Sequence, residues 1–589
     1  VPATPCAFPG HDKVTSTQGF YNLPRREVFI TLAGVMMAMF LGSLDQTVVS
    51  TAMPRIMADL GGFSHYTWVT TAYLVTSTIM MPVIGRLTDM YGRKGFYIAG
   101  IAIFLVGSVL SGLSQTLTQL IIFRAIQGIG GGIMMANAFI VIGDLFPPAE
   151  RGKYQGMTTA VFGLSSVIGP TLGGFLTDNL SWHWIFYINI PLGIPIMLLF
   201  IRYFPHIRPA ARKHQVDILG LMTLTVSVVT LMLGLTWAGV EYDWVSPQII
   251  ITLTIAAVMA VLFVIVESRA PEPIIPLALF RNRIFSLTMV IVFIAGFGMF
   301  GAIVFVPLYF QGVLGRSATS SGSFLVPMML AMTVASLLSG QALSRLGGHY
   351  RIQGLIGMAI MATGVFLLSQ MTVETPHTHA IFNIILVGLG IGTALPLLTI
   401  AVQNAVPYRV MGIATSSVQF FRSIGATLGL AVFGSVMASR FASELPARVP
   451  EAVKEALPPN TMSELTSNPQ ALVNPDAMAK LEEAFEPFGP QGAEMMQQLM
   501  HGLREALAIS LTAVFLIGVV AVALGFIATI FLKELPLQKR YQIEEEGEVV
   551  TAGSPAQKVA PAQADPESAD CQQQDKAHSS SQQDAKPSS

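Results

Sequence analysis

One carboxylate interrupts an otherwise apolar stretch. The segment "FLGSLDQTVVSTAMP", Phe40 to Pro54, continues an apolar run that begins near Val28, and Asp45 is its acid. A charge within hydrocarbon costs several kcal/mol, so such groups pair or carry protons. A cation lies in a second apolar run, "LIIFRAIQGIGGG", Leu120 to Gly132. Helical spacing puts Arg124, Gln127, Gly128 and Gly131 on one face. At 1.5 Å rise per residue, Asp45 lies roughly 25 Å from the start near Val28. Arg124 lies roughly 12 Å from a start near Thr116 on a helix running the other way. Both then fall in the outer half of a ~30 Å core, within bridging reach if the two helices are neighbours. A neighbouring cation favours the charged form of an acid and desolvation the neutral one, so proton occupancy can follow conformation. Asp45 and Arg124 are the proton-coupling candidates. The alternatives are a static pair that fixes one helix on another, or an acid high enough to be wetted.

A second constellation is "GRLTDMYGRKG", Gly85 to Gly95, in a tight turn between two apolar runs. Gly85, Asp89, Gly92, Arg93 and Lys94 could form a conformational latch. Asp89 would cap the next helix or pair with a base, and Gly92 would supply a turn closed to other residues. The bland reading is a basic loop that only fixes topology. A third segment, "GMTTAVFGLSSVIGPTLGG", Gly156 to Gly174, carries small residues at helical intervals around Gly169 and Pro170. With Gly173 and Gly174 it reads as a packed hinge or a tight helix interface.

Candidate cavity residues are polar or thioether side chains on these helices: Gln46, Met39, Gln127, Met135, Asn137, Gln403, Asn404 and Gln419. Flexible thioethers suit a promiscuous apolar cavity, although ordinary packing is the commoner role of any one Met. No G-x-x-x-x-G-K-[ST] occurs, which argues against nucleotide drive. No Ser/His/Asp or metal-ligand cluster is visible; His377 and His379 are too few for a metal, and two cysteines, Cys6 and Cys571, make no disulfide framework. The expectation is a protein that is not an enzyme and needs no cofactor, driven by a proton gradient.

The elements that must position these residues are membrane helices. Of 589 residues 52% are hydrophobic and 11% charged, against roughly 25% charged in soluble domains, and the mean hydropathy is +0.61. A net charge of −1 gives no electrostatic case for nucleic acid. The start lacks a basic region followed by an apolar one and does not read as a secretory signal peptide. Since a span needs about 20 apolar residues, fourteen runs qualify: 28–50, 67–86, 96–114, 117–142, 155–178, 184–203, 217–238, 247–267, 285–311, 321–343, 352–371, 380–404, 412–438 and 507–532. Lys and Arg concentrate in alternate loops, including "RREV", "RLTDMYGRKG", "PAERGK" and "KELPLQKR". That asymmetry predicts a cell-membrane protein with both termini in the cytoplasm. Trp68, Trp182, Trp184, Trp237 and Trp244 fall near the outer edge, as an aromatic belt would.

Residues 439–506 read as a long outer loop, partly helical at "NPDAMAKLEEAF" with Asn474 as N-cap, and open to an extracytoplasmic partner. The tail 541–589 is rich in Gln, Ser, Ala and Pro and reads as disordered. A faint repeat relates "GRLTDMYGRK" to "GQALSRLGGH", with Gly85 matching Gly340 and Ser344 standing where Asp89 does. It suggests two similar halves separated by an extra pair of helices. The expected organisation is a segment 1–27, a six-helix bundle 28–203, two linker helices within 204–284, a second six-helix bundle 285–540, and the tail.

In order and spacing these segments resemble the major facilitator superfamily, in its fourteen-helix drug:proton antiporter branch of QacA/EmrB-like multidrug exporters. "LDQTVVSTAMP" resembles the branch's first-helix motif, and "GRLTDMYGRKG" the loop signature, with Thr88 and Met90 at positions commonly Ala and Arg. "LIIFRAIQGIGGG" and "GMTTAVFGLSSVIGPTLGG" resemble the fourth- and fifth-helix motifs, the latter with Ser165 at a usual Gly. "WHWIFYINIPLG", Trp182 to Gly193, and "QFFRSIGATLG", Gln419 to Gly429, are similar to two further branch segments, with His183 where Arg is frequent. The resemblance covers about 25–540. It implies an all-α membrane fold of two six-helix bundles plus two central helices, alternating access, and proton-driven export of lipophilic or cationic small molecules. An exporter dedicated to one lipid, siderophore or metabolite, and a non-transporting sensor on the same scaffold, are the alternatives.

Overall fold

A computed structural model describes residues 24–60, 66–205, 215–239, 242–315, 318–345, 348–457, 461–467, 481 and 485–537. Fourteen helices there are long and apolar enough to cross a membrane. They are numbered in chain order: α1 Arg25–Leu60, α2 Tyr66–Tyr91, α3 Arg93–Gly112, α4 Leu117–Leu145, α5 Pro148–Asn179, α6 Asn189–Tyr203, α7 Ile218–Trp237, α8 Pro247–Glu267, α9 Arg283–Leu308, α10 Ala318–Arg345, α11 Tyr350–Leu368, α12 His377–Ala405, α13 Met411–Arg448 and α14 Gly489–Ile530. The only pairing outside helices among the described residues is a single bridge between Ala238 and Tyr242. The expected disordered tail and the helix expected at Asn474 lie outside the described residues.

Local chemistry sets the helix starts. The side chains of Thr116, Asp217, Ser246 and Asn282 accept backbone N–H groups at the first turns of α4, α7, α8 and α9, satisfying donors that a helix start leaves orphaned. Pro148 and Pro247 occupy first-turn positions, where no N–H is missed. Gly92 separates α2 from α3 with φ of 94°, a conformation L side chains rarely adopt.

Helices α1 to α6 pack on one another, and α9 to α14 do the same. The linker helix α7 lies against α2 and α13, and α8 packs on α7. The two halves meet where α2 and α4 contact α13 and where α5 contacts α10 and α12. Helix α1 keeps to its own half, packing on α4, α5 and α6.

The expected run 184–203 is one span, Trp184–Tyr203, in which a helical turn Trp184–Tyr187 leads through Ile188 into α6. One sequence boundary needs correcting. Residues 439–506 are not simply a loop, because α13 continues to Arg448 and α14 already begins at Gly489. Phe441, Leu445 and Val449 repeat at helical spacing and are buried with Leu499 and Leu503, in the same core as Phe433 and Val514. Arg448 bridges Glu444 and Glu505 across this extension. Charged residues made the segment look non-membrane, and an apolar stripe beneath them keeps it helical.

Candidate functional site

The first site is built around Asp45. Helix α1 presents it to α4, where Arg124 Nη1 donates to Oδ2 at 2.7 Å. The opposite oxygen, Oδ1, takes Gln127 Nε2 and Asn189 Nδ2, each at 2.8 Å. Both amides also reach Ser108 Oγ, at 3.2 and 2.8 Å, and that hydroxyl donates to Phe186 O. Arg124 Nη1 donates to Gln127 Oε1 as well, and its guanidinium lies 4.4 Å from the Tyr73 ring centre. Asp45, Arg124, Gln127, Ser108, Asn189 and Tyr73 are each at most 1% exposed. Every group bonded to the carboxylate is a donor, the arrangement a charged acid requires when water is excluded.

Asn189 stands at the first position of α6, and its side-chain amide reaches Asp45 and Ser108 in the bundle. Gly107 on α3 lets α4 approach closely, because a Cβ there would clash with the Gln127 backbone.

A second polar cluster occupies the other end of the same helices. Arg93 Nη2 pairs with Asp89 Oδ1 at 2.6 Å and Nε with Asp144 Oδ2 at 3.0 Å, while Nη1 donates to Thr88 Oγ1. Asp89 in turn accepts the backbone N–H of Gly412 at 3.1 Å and of Ile413 at 2.9 Å. It therefore caps α13 in the opposite half, and not the next helix in sequence. Thr88 Oγ1 is an acceptor for the arginine. From Arg124 to Asp144 along α4 is roughly 30 Å at 1.5 Å per residue, so the two clusters sit about a hydrocarbon thickness apart.

Around Asp89 the halves close tightly. A Cβ on Gly85 would clash with Ser416, and Gly152 and Gly340 each face the other's backbone carbonyl. Arg151 on α5 donates to Phe146 O, Gly143 O and Gln403 Oε1, and Gln403 Nε2 passes on to Thr415 Oγ1 at 3.1 Å. Gly163 abuts Thr333 of α10. Of the latch residues, Lys94 stands apart: it is partly exposed and donates to Ile201 O of α6.

The fifth-helix motif binds α5 to α1. Gly169 faces Thr47 and Gly173 faces Thr51, both on α1, and the Ser165 hydroxyl bonds that of Ser43. Gly174 meets nothing within 4 Å, and Pro170 is exposed in a helix that runs through it unbroken.

The other sequence candidates scatter. Met39 and Met135 are buried in the core of the first half, and Gln127 belongs to the Asp45 network. Gln46 is half-buried beside Tyr73. Asn404 fastens the chain after α14 through the carbonyls of Leu535 and Pro536. Asn137 is fully buried with no protein partner on either amide end. Gln403 bonds Arg151 of the other half, and Gln419 is buried on α13. Sequence reasoning missed Ser108, Asn189, Asp144, Arg151 and Gln155. Asn189 alone had a readable signal, a lone amide in the apolar "FYINIPLG".

The Major Facilitator Superfamily model matches residues 35–430. Two proteins of Bacillus subtilis (strain 168) are similar over nearly their whole lengths. Multidrug transporter protein MdtP is 41% identical over 536 residues, covering 89% of this chain and 96% of its own. Multidrug resistance protein 3 is 38% identical over 505 residues, covering 86% and 94%. Among solved structures, the human organic anion transporter MFSD10 superposes with a TM-score of 0.55 at 12% identity, over 85% of this chain and 100% of that one. A bacterial homologue of the human lysosomal transporter spinster gives 0.50 at 15%, over 88% and 100%. At such identities these two likenesses concern fold alone. With fourteen spanning helices in two packed halves and a family match across most of its length, the chain belongs to the Major Facilitator Superfamily of membrane transporters.

Proposed function

We propose that this transporter is a proton-coupled antiporter that exports lipophilic small molecules by alternating access. The observation that carries the reading is the ring of donors around Asp45. A protonated carboxyl needs an acceptor for its hydrogen, so taking up a proton requires a donor to withdraw or the Gln127 or Asn189 amide to turn its oxygen inward. Those residues lie on α4 and at the start of α6, so protonation rearranges the contacts that hold α1 to both helices. The multidrug role named for the two Bacillus subtilis relatives supports a broad cargo.

Basic residues in alternate loops put both termini and the turn at Gly92 in the cytoplasm. On that orientation the seam of Asp89, Gly152, Gly340 and Gly412 closes the cytoplasmic side, and Asp45 lies toward the outside, where protons enter. One proton moving inward down 100 mV releases about 2.3 kcal/mol, enough to hold roughly a fifty-fold concentration difference. No cofactor is needed for that drive.

The test is the full chain in proteoliposomes under an imposed pH gradient, with lipophilic fluorophores of each charge. Gradient-driven flux in the wild type that is lost in Asp45→Asn, while downhill exchange survives, is the expected result. Gradient-driven flux that persists unchanged in Asp45→Asn removes the coupling role.

A further inference from the structure

Thr415, Gln419 and Arg422 stand at i, i+4 and i+7 on α13, one stripe of a helix. The lowest member is tied into the contact between halves by Gln403 Nε2. One turn on, Gln419 is 3% exposed and its Oε1 has no protein partner. At the next turn Arg422 is half-buried. Neighbouring contacts keep this level in the interior: Ser423 bonds Thr78 of α2 at 2.7 Å, across the two halves. A Cβ on Gly296 of α9 would lie 3.2 Å from Arg422 Cγ. On α5, one turn beyond Arg151, Gln155 is 1% exposed and neither end of its amide has a protein partner.

Arg422 lies roughly 17 Å along α13 from Met411, about the middle of a ~30 Å core. Intramembrane arginines ordinarily find a carboxylate. Among the described residues this one has no ion pair or hydrogen bond, whereas Arg124 and Arg93 have carboxylates of their own. Three buried acids of the first half are already paired: Asp45 with Arg124, and Asp89 and Asp144 with Arg93. A guanidinium is always charged, and its planar fork matches the oxygens of a phosphate, sulfonate or carboxylate.

We infer that Arg422 receives the anionic head group of an amphiphilic substrate, with the Gln419 amide one turn away on the same stripe. The inference rests on the exporter reading and narrows its cargo from lipophiles in general to anionic or zwitterionic ones.

The test is equilibrium binding of radiolabelled 2-naphthyl phosphate to the full chain in lipid nanodiscs, with empty nanodiscs subtracted. Competitors are 2-naphthalenesulfonate, 2-naphthol and (2-naphthylmethyl)trimethylammonium. Saturable binding is expected, displaced by the sulfonate at least tenfold more effectively than by the cation. Arg422→Gln weakens it tenfold or more, and Arg422→Lys stays within a few-fold of wild type. If Arg422→Gln does not fold, Gln419→Leu, expected to weaken binding several-fold against Arg422→Lys, carries the test. Displacement by the cation as effective as by the sulfonate, absence of binding, or binding indifferent to these variants overturns the inference. Asp45→Asn separates the two proposals: it is expected to retain head-group binding while losing gradient-driven flux. Binding that tracks Arg422 without flux of any compound would leave the anion site standing and remove the exporter. Flux of cationic members unaffected by Arg422→Gln would do the reverse.

Discussion

Asp89 Oδ2 accepts the backbone N–H of Ile413 at 2.9 Å, across 324 positions of sequence. Its other oxygen takes Gly412 N and Arg93 Nη2. The start of a helix gathers orphan N–H groups and the positive end of its dipole, so a carboxylate there is favoured over a neutral side chain. This bond joins the two halves of the transporter, and it must break for α13 to move away from α2. Asp89→Asn keeps the shape and removes the charge. Hydrogen bonds to charged groups contribute about 1.5–3 kcal/mol, so the closed population should fall by roughly tenfold to a hundredfold relative to the open one. Pulsed spin-label distances between α2 and α13 near this end would report it. An unchanged distribution would mean that packing alone holds the seam.

Packing has its own test. Gly152 and Gly340 oppose each other so closely that a Cβ on either would clash with the other's carbonyl. Gly340→Ala should push α10 off α5 and disfavour the closed state by about 1–3 kcal/mol, the usual cost of overpacking. Gly174→Ala is the control, since nothing lies within 4 Å of its added Cβ. There the better helix propensity of Ala should raise stability by up to about 1 kcal/mol. Cysteine accessibility at the closed end, with melting temperatures, separates the two: only Gly340→Ala should open the end.

The Asp45 network predicts unequal effects of its two charges. Arg124→Gln leaves a carboxylate with amide donors but no cation, in a site 1% exposed. Breaking a buried pair from one side costs about 3–5 kcal/mol. Arg124→Gln combined with Asp45→Asn removes both charges and should recover much of that loss. Thermal unfolding of the single and double variants in detergent measures the coupling. Strict additivity of the two losses would show that the residues do not act as a pair.

How far all this was readable depends on the range of each interaction. Fourteen spans were legible because the signal is local composition, and the Asp45–Arg124 pair because two charges in hydrocarbon have few partners. The donors Asn189 and Ser108 were not, since an amide or hydroxyl in an apolar run is equally at home joining helices. The repeat carried more than its faint similarity suggested: Gly85 and Gly340 both sit on the seam, against Ser416 and Gly152. Its departure is informative too. Asp89 reaches α13, while Ser344 bonds Gly340 O within its own helix, so an acid-held contact exists at one matching site and not at the other. No spacing rule reveals that Asp89 caps a helix more than three hundred residues away, because the partner there is backbone.

The outer extension gives the last expectation. Read as a loop, 439–506 looks removable without harm to the fold. Yet Phe441, Leu445, Val449, Val453, Leu499 and Leu503 are buried in the core that also holds Phe433, Leu511 and Val514. Excising 439–506 would remove the ends of α13 and α14 and strip Phe433, Leu511 and Val514 of partners, so failure to export would say nothing about a partner protein. A single truncation reads the connection directly. Leu503, 1% exposed, when changed to Ala should cost about 2–5 kcal/mol through lost burial and the cavity left behind. Glu505→Gln weakens a half-buried pair with Arg448 and should cost less than about 1 kcal/mol, as surface ion pairs do. If Leu503→Ala melts like the wild type, the extension is an independent appendage, and deleting it becomes a fair test of partner binding. If it melts well below, the extension is part of the second bundle, and partner binding has to be probed by surface substitutions that leave its core intact.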